Sequence, residues 1–180
     1  TNPQQYEPFL EELKAGNISY ETKKKLAIAA FAHTADYDSY IVNSLQPKMN
    51  VNSNYFNRSF KLASSLRYGE NPHQQAGVYG EFYDNFEFIH GKELSYNNIL
   101  DLVSAVELVE SLGENSCSII KHNNPAGAAI GKDSFDAYVK ALKCDPVSSF
   151  GGIVTFTSVV DEKLAERLNE IFLEVVCAPE

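Results

Sequence analysis

The sequence predicts an α/β fold in which helices flank a mostly parallel sheet. From Cys117 onward the short apolar runs CSIIK, GGIVTFT and LEVVCA alternate with amphipathic stretches, joined by connections short enough for strand–helix–strand crossovers. Start and stop residues fall between these runs: Gly113 before the first, and Asp133 or Ser134 ahead of Phe135–Lys143. The 180 residues are 44% hydrophobic and 22% charged, enough to bury the core of one domain or of one domain plus a piece of another.

Taken in order, Pro8 in a first turn and Gly16 past the end bracket a short helix carrying Phe9, Leu10 and Leu13. Ser19 caps a longer one, in which Leu26, Ala30, Tyr37, Ile41 and Leu45 form an apolar stripe that Pro47 ends. His33 and Asp36, three apart on that helix, are too few for a metal site and read as a solvated face. The Asn-rich segment PKMNVNSNYFNRS reads as a linker, giving helices over 1–46, a linker over 47–59 and an α/β unit over 60–180. Two β-like runs follow, GVYGEF and FEFIHG, then a helix from Asn98 to Leu112 with Ile99, Val103, Val106 and Val109 inward. After CSIIK come a helix over Phe135–Lys143, the strand GGIVTFT, a helix over Glu162–Ile171 and a last strand in LEVVCA. The start at Thr1 and the stop after CAPE read as the ends of a cut piece.

Several functions are excluded by charge and spacing. A net charge of -9 gives no basic face for sequence-independent nucleic-acid binding. No apolar run approaches the roughly 20 residues that cross a bilayer, and the N-terminus has no export signal. Cys117, Cys144 and Cys177, odd in number and far apart, fit free thiols in a reducing compartment, so the cytoplasm is expected. GAAIGKDS has only three residues between Gly127 and Gly131 and is not a phosphate-binding P-loop. CxxC is absent, which removes a zinc deaminase site, and so is the Gly-x-Ser-x-Gly elbow of hydrolases. No metal site is predicted.

What remains is a set of clusters in which Gly or Pro fixes an unusual backbone beside side chains that bind or ionise. They are LRYGENPHQ (66–74), GKELSYNNILD (91–101) with KHNNPAG (121–127), and DPVSSFGG (145–152). Each alone would read as a structured turn. Together, in one α/β unit whose ligands are expected beyond strand ends, they indicate a site at Lys121 and His122, where the CSIIK strand stops.

LRYGENPHQ, GKELSYNN, KHNNPAG and DPVSSFGGI, in this order, resemble the transformylase half of the bifunctional purine-biosynthesis enzymes, AICAR transformylase/IMP cyclohydrolase. AFAHTADYDSYI (30–41) resembles the last helix of their cyclohydrolase half. The resemblance covers essentially the whole chain. It implies the end of a cyclohydrolase domain followed by the first, incomplete, cytidine-deaminase-like transformylase subdomain. It also implies a homodimeric parent, with the cyclohydrolase catalytic residues, the folate pocket and some nucleotide contacts outside this chain, so that the piece alone is not a competent enzyme.

The reaction implied is formyl transfer from 10-formyltetrahydrofolate, a cosubstrate, to the 5-amino group of AICAR (aminoimidazole carboxamide ribonucleotide). By the same resemblance His122 is the base and Lys121 the transition-state stabiliser, while Arg67, Tyr68, Asn98, Gly151 and Glu174 contact the nucleotide; His73 in NPHQ either supports the site or fixes its own turn. The chemistry suits the residue types. The amine is a poor nucleophile that needs a base, a neighbouring ammonium favours neutral imidazole, and an ammonium can donate to the oxygen that becomes negative. Glu174 falls near the start of the last predicted strand, against the strand-end rule. A noncatalytic nucleotide-binding or dimerisation module, keeping these loops as structure, is the competing reading.

Overall fold

The computed structural model describes residues 2–179. The chain forms two units, Thr1–Lys61 and Leu62–Glu180. In the first, a 3-10 turn over Pro3–Gln5 carries a capping box, with the Asn2 side chain accepting from the Gln4 amide at 3.0 Å and that of Gln5 from the Asn2 amide at 3.1 Å. It leads into α1 (Tyr6–Lys14), which Gly16 terminates at φ +92°. Ser19 caps α2 (Tyr20–Met49), its hydroxyl accepting from the Thr22 amide at 3.1 Å, while Glu12 reaches back to accept from the Ser19 amide at 2.8 Å.

Helix α2 continues past Pro47, where the sequence reading stopped it. A proline this near the end removes one hydrogen bond but not the helix, and Asn50 closes it in the left-handed region at φ +52°. No residue of α1 or α2 is buried, and in the expected stripe Leu26, Ala30 and Ile41 are only half-buried while Tyr37 and Leu45 are exposed.

The second unit begins with an antiparallel pair, β1 (Leu62–Ser65) and β2 (Gly77–Tyr79), followed by the short α3 (Phe82–Asn85). The sequence reading gave neither β1 nor α3, and FEFIHG, expected as a strand, forms none: Phe86 stacks on Phe82 at 4.7 Å and Ile89 is exposed. Helix α4 (Tyr96–Leu112) starts at a capping box of Ser95 and Asn98 and stops at Gly113. Its buried residues are Asn98, Leu102, Ala105 and Val109; of the four expected inward, Val109 is buried and Val106 packs beside this face, while Ile99 is half-buried and Val103 exposed. Small Ala105 lets the helix backbone approach the sheet closely enough for the Ser118 hydroxyl to donate to its carbonyl at 2.9 Å.

The main sheet has the order β4-β3-β5-β6, with β3 (Ser116–Lys121), β4 (Asn124–Ile130), β5 (Ile153–Phe156) and β6 (Val175–Cys177). The α/β class holds, but the sheet is mixed and not mostly parallel: β3 pairs antiparallel with both β4 and β5, and only β5 with β6 is parallel. The cause is a hairpin at His122-Asn123, which reverses the chain before α5 (Ser134–Cys144) begins. Strands joined by a helix still run the same way, β4 with β5 through α5 and β5 with β6 through α6 (Glu162–Leu168), as crossovers require.

Alternate residues of β3 feed two apolar layers. Cys117 and Ile119 join Tyr138, Ala141, Val154, Phe156 and Leu164 under α5 and α6. Ile120 joins Leu102, Ala105 and Ile153 under α4. Burial pushes the Cys117 thiol far above its usual range.

Candidate functional site

Strand direction decides which loops meet. Because β5 and β6 run opposite to β3, the C-terminal end of β3 lies beside the N-terminal ends of β5 and β6. Helix α4 leads into β3 through Gly113, and its N-terminal part packs at the same rim, where Asn98 meets Glu174 and Asp101 meets the β3–β4 turn. The rim therefore carries Asn98, Lys121, His122, Gly151 and Glu174. It also removes the difficulty with Glu174: a residue just ahead of β6 belongs at the edge where β3 ends.

The contacts at the rim are specific. Asn98, 8% exposed, donates from Nδ2 to Glu174 Oε2 at 2.5 Å, and its Oδ1 accepts the Ser95 amide at 3.0 Å and the Ser95 hydroxyl at 2.9 Å. The Glu174 amide donates to the Gly152 carbonyl at 3.0 Å, which ties the start of β6 to the start of β5. Lys121 donates from Nζ to the Phe150 carbonyl at 2.6 Å. That ammonium lies 4.0 Å from where a Cβ on Gly151 would stand, an ordinary contact, so it is the backbone, at φ +71°, that suits glycine here.

The Phe150 carbonyl is presented by a loop that Asp145 organises. Its carboxylate accepts the Val147 amide at 3.1 Å, the Ser148 amide at 2.9 Å and the Ser148 hydroxyl at 2.6 Å, while the Ser149 hydroxyl donates to the Asp145 carbonyl at 2.7 Å. The Ser148 hydroxyl, followed by the Ser148 amide, holds the Asp145 carboxyl below the usual carboxylate range.

His122 and Asn123 are the two central residues of the β3–β4 hairpin, since Lys121 pairs with Asn124. Both are left-handed, at φ +51° and +61°, as a type I′ turn requires. Their amides donate to one carboxylate: His122 to Asp101 Oδ2 at 3.2 Å and Asn123 to Asp101 Oδ1 at 2.7 Å. Ser104, one turn along α4, donates to the Asn123 side chain, and Asn124 donates to the His122 carbonyl at 2.9 Å. Sequence reasoning did not single out Asp101, although it closes the GKELSYNNILD cluster. Its partners are backbone amides, which leave no pattern in a sequence.

Arg67 and Tyr68 lie on the loop after β1 and pair with each other, Arg67 Nη2 donating to the Tyr68 hydroxyl at 3.2 Å with the guanidinium 4.8 Å from the ring centroid. This loop is tied to the start of α4. The Tyr96 amide donates to the Tyr68 carbonyl at 3.3 Å and Asn97 Nδ2 to the Glu70 carbonyl at 3.3 Å. His73 is exposed further round the loop, where Gln74 Oε1 accepts the Asn71 amide at 2.8 Å and shapes the turn. The four clusters thus converge on the N-terminus of α4 and the end of β3, with His73 the outlying member.

Among the described residues no group of three or more His, Cys, Asp or Glu could hold a metal ion, and no helix is long and apolar enough to cross a membrane.

Comparison with known proteins agrees along the chain's length. A family model described as the AICARFT/IMPCHase bienzyme matches residues 1–180. A "Bifunctional purine biosynthesis protein PurH" of Prochlorococcus marinus subsp. pastoris is 48% identical over 191 residues, covering 99% of this chain and 37% of the relative. The protein of the same description from Persephonella marina is 47% identical over 190 residues, with 99% and 37% covered. That of Brachyspira hyodysenteriae is 46% identical over 186 residues, with 96% and 36% covered. The chain therefore spans little more than a third of the length of the curated relatives it matches.

Proposed function

Because the chain belongs to the AICARFT/IMPCHase bienzyme family, we propose that it supplies the catalytic base and part of the nucleotide pocket of an AICAR formyltransferase in purine biosynthesis. The parent is then a cytoplasmic, homodimeric, bifunctional enzyme that goes on to cyclise the product to IMP. In this reading residues 1–46 are the last helices of the cyclohydrolase domain, 47–59 a linker and 60–180 the first part of the transformylase domain.

The observation that carries the proposal is the convergence of Lys121, His122, Asn98, Gly151 and Glu174 at one rim from four separate segments. In the reaction the 5-amino nitrogen of AICAR forms a bond to the formyl carbon of 10-formyltetrahydrofolate. His122 accepts the amine proton as that bond forms. Lys121 keeps one N–H on the Phe150 carbonyl and has two left, enough to donate to the formyl oxygen as it becomes negative. The bond from the formyl carbon to N10 then breaks, and the proton passes to N10. Arg67 and Tyr68 meet the nucleotide from the loop over α4, Arg67 with a fork suited to phosphate or carboxamide oxygens. Asn98 and Glu174 form a neutral donor and carboxylate pair for its polar groups, and Gly151 admits close approach of the backbone.

The test is formyl transfer by the full-length protein with His122→Ala and Lys121→Ala, AICAR binding being measured in each. Both variants are expected to bind AICAR and to lose about a hundredfold or more in kcat. Near wild-type turnover by His122→Ala would make the turn scaffolding and favour a noncatalytic nucleotide-binding module.

A further inference from the structure

We infer that Asp101 is a positioning residue for the catalytic histidine: its carboxylate holds the His122-Asn123 turn in the left-handed geometry that aims the imidazole. The inference rests on the reading of His122 as the base and adds a residue to that site.

A two-residue hairpin loop with both residues at positive φ favours Asn-Gly or Asp-Gly, because glycine adopts that conformation freely and Asn or Asp more readily than most residues with a Cβ. Here the turn is His-Asn, at φ +51° and +61°: both residues enter this region more readily than most side chains, but neither does so as freely as the glycine that usually fills one of the two places. The hairpin ladder resumes at Lys121 and Asn124, and the two turn amides are met by Asp101 alone, one oxygen each, at 3.2 Å and 2.7 Å. Charge-assisted bonds of this kind are about twice as strong as neutral ones. The carboxylate projects from the second turn of α4, a helix anchored on the sheet through Leu102 and Ala105, so the turn is referenced to the rigid body of the unit. Ser104 bonds the Asn123 side chain from the same helix and adds a second fixed point.

The division of labour is then clear. His122 is exposed, and none of these contacts uses its imidazole, which is left free for a substrate. What these contacts fix is the backbone of the turn, and with it the Cα–Cβ direction from which the imidazole projects. Misplacement of a reacting group by about 1 Å can cost about a hundredfold in rate, so loosening the turn is expected to act on turnover and not on binding.

The experiment compares Asp101→Ala, Asp101→Asn, Asn123→Gly and Asp101→Ala/Asn123→Gly in the full-length protein, with His122→Ala alongside. Asp101→Ala is expected to lower kcat about 10- to 100-fold while KM for AICAR stays within about threefold. Asp101→Asn, which keeps one acceptor but sets an NH2 against the second amide, is expected to fall between it and wild type. Glycine adopts the left-handed conformation freely, so Asn123→Gly in the Asp101→Ala background is expected to recover at least about fivefold of the lost kcat. If Asp101→Ala does not fold, Asp101→Asn and its combination with Asn123→Gly are read in the same way.

A kcat within about twofold of wild type in Asp101→Ala, or in Asp101→Asn where only that variant folds, with His122→Ala inactive, overturns the positioning role and leaves the formyl-transfer reading standing. Because Asn123→Gly also removes the Ser104 bond, the loss on Asp101→Ala is measured against Asn123→Gly as well as against wild type; an equal loss in both backgrounds overturns the inference too, because the carboxylate would then act otherwise than by holding the turn. Wild-type turnover by His122→Ala overturns the functional reading itself.

Discussion

Replacing Gly127 by alanine tests the closest approach in the second unit. A Cβ at this position would lie 2.0 Å from the Ala141 carbonyl oxygen, 2.8 Å from its carbon and 3.2 Å from Cys144 Cβ. The first two are backbone atoms in the middle of α5, so no side chain can rotate to make room. Reaching even 3.0 Å, below which such contacts essentially never occur, requires β4 and α5 to part by about 1 Å. The face of α5 that would be lifted is Ala137, Tyr138 and Ala141, each 0% exposed, so the gap opens under the largest buried side chain of the unit. Overpacking of a rigid core costs about 1–3 kcal/mol. With backbone on both sides and Tyr138 losing contacts, we expect about 3 kcal/mol for Gly127→Ala. Gly113 provides the contrast, since its φ of +88° strains any side chain but nothing lies within 4 Å of the added carbon. Gly113→Ala is expected to cost about 1–3 kcal/mol, all of it conformational, because φ +88° with ψ -157° is backbone that essentially only glycine adopts. Hydrogen exchange of the β4 and α5 amides reads both effects locally within the full-length protein. If Gly127→Ala lowers their protection less than Gly113→Ala does, β4 and α5 do not pack as described.

Three further outcomes follow from single side chains. Asp145 is held below its ordinary range by the Ser148 hydroxyl and then the Ser148 amide, so the order it gives the loop is present above the unfolded carboxyl value near 4 and is lost as pH falls through the lower folded value; Ser148→Ala is expected to move that loss to higher pH, measured by exchange of the Val147 and Ser148 amides. Alkylation of the native protein is expected to modify exposed Cys144 first and Cys177 slowly, with Cys117 reacting only on unfolding, because burial raises the latter two thiols; mass spectrometry over time checks the order. The Tyr138 hydroxyl is buried with no hydrogen-bond partner among the described residues, so Tyr138→Phe is expected to be neutral or to stabilise by about 1 kcal/mol in thermal unfolding, and a loss of more than that would reveal a partner.

The elements that were legible in the sequence carry local signals. Ser19, Asp133 and Gly113 mark ends of helices as read, CSIIK lies within β3, and GGIVTFT and LEVVCA contain β5 and β6. The misses have equally local causes. β4 is written NPAGAAI, with proline, glycine and alanines in place of the branched residues that advertise a strand, and its turn is His-Asn with no glycine. The α4 face is legible in Val106 and Val109 but not at its start, where Ile99 and Val103 outrank Asn98 and Ala105 in hydrophobicity. There the helix buries Asn98, which completes the capping box with Ser95, and Ala105, which is small enough for a close approach.

Missing β4 had one consequence beyond an unassigned strand. Alternating strands and helices imply like-directed strands only if each strand meets a helix before it meets another strand. The hairpin breaks that condition once, between β3 and β4, and so reverses β3 against the rest of the sheet. In an all-parallel sheet the end of β3 would face the ends of β5 and β6, and Gly151, Gly152 and Glu174, which precede those strands, would lie at the opposite edge from Lys121. In the observed sheet the same residues share an edge, with Lys121 bonded to the carbonyl preceding Gly151 and Glu174 bonded to Asn98. The His122-Asn123 turn thus does two things: it places the histidine, and by reversing the chain it brings to that histidine the loops that precede β5 and β6. A turn with both consequences, built without the glycine that adopts its conformation most freely, is held from outside by Asp101, whose carboxylate reaches both its amides from α4.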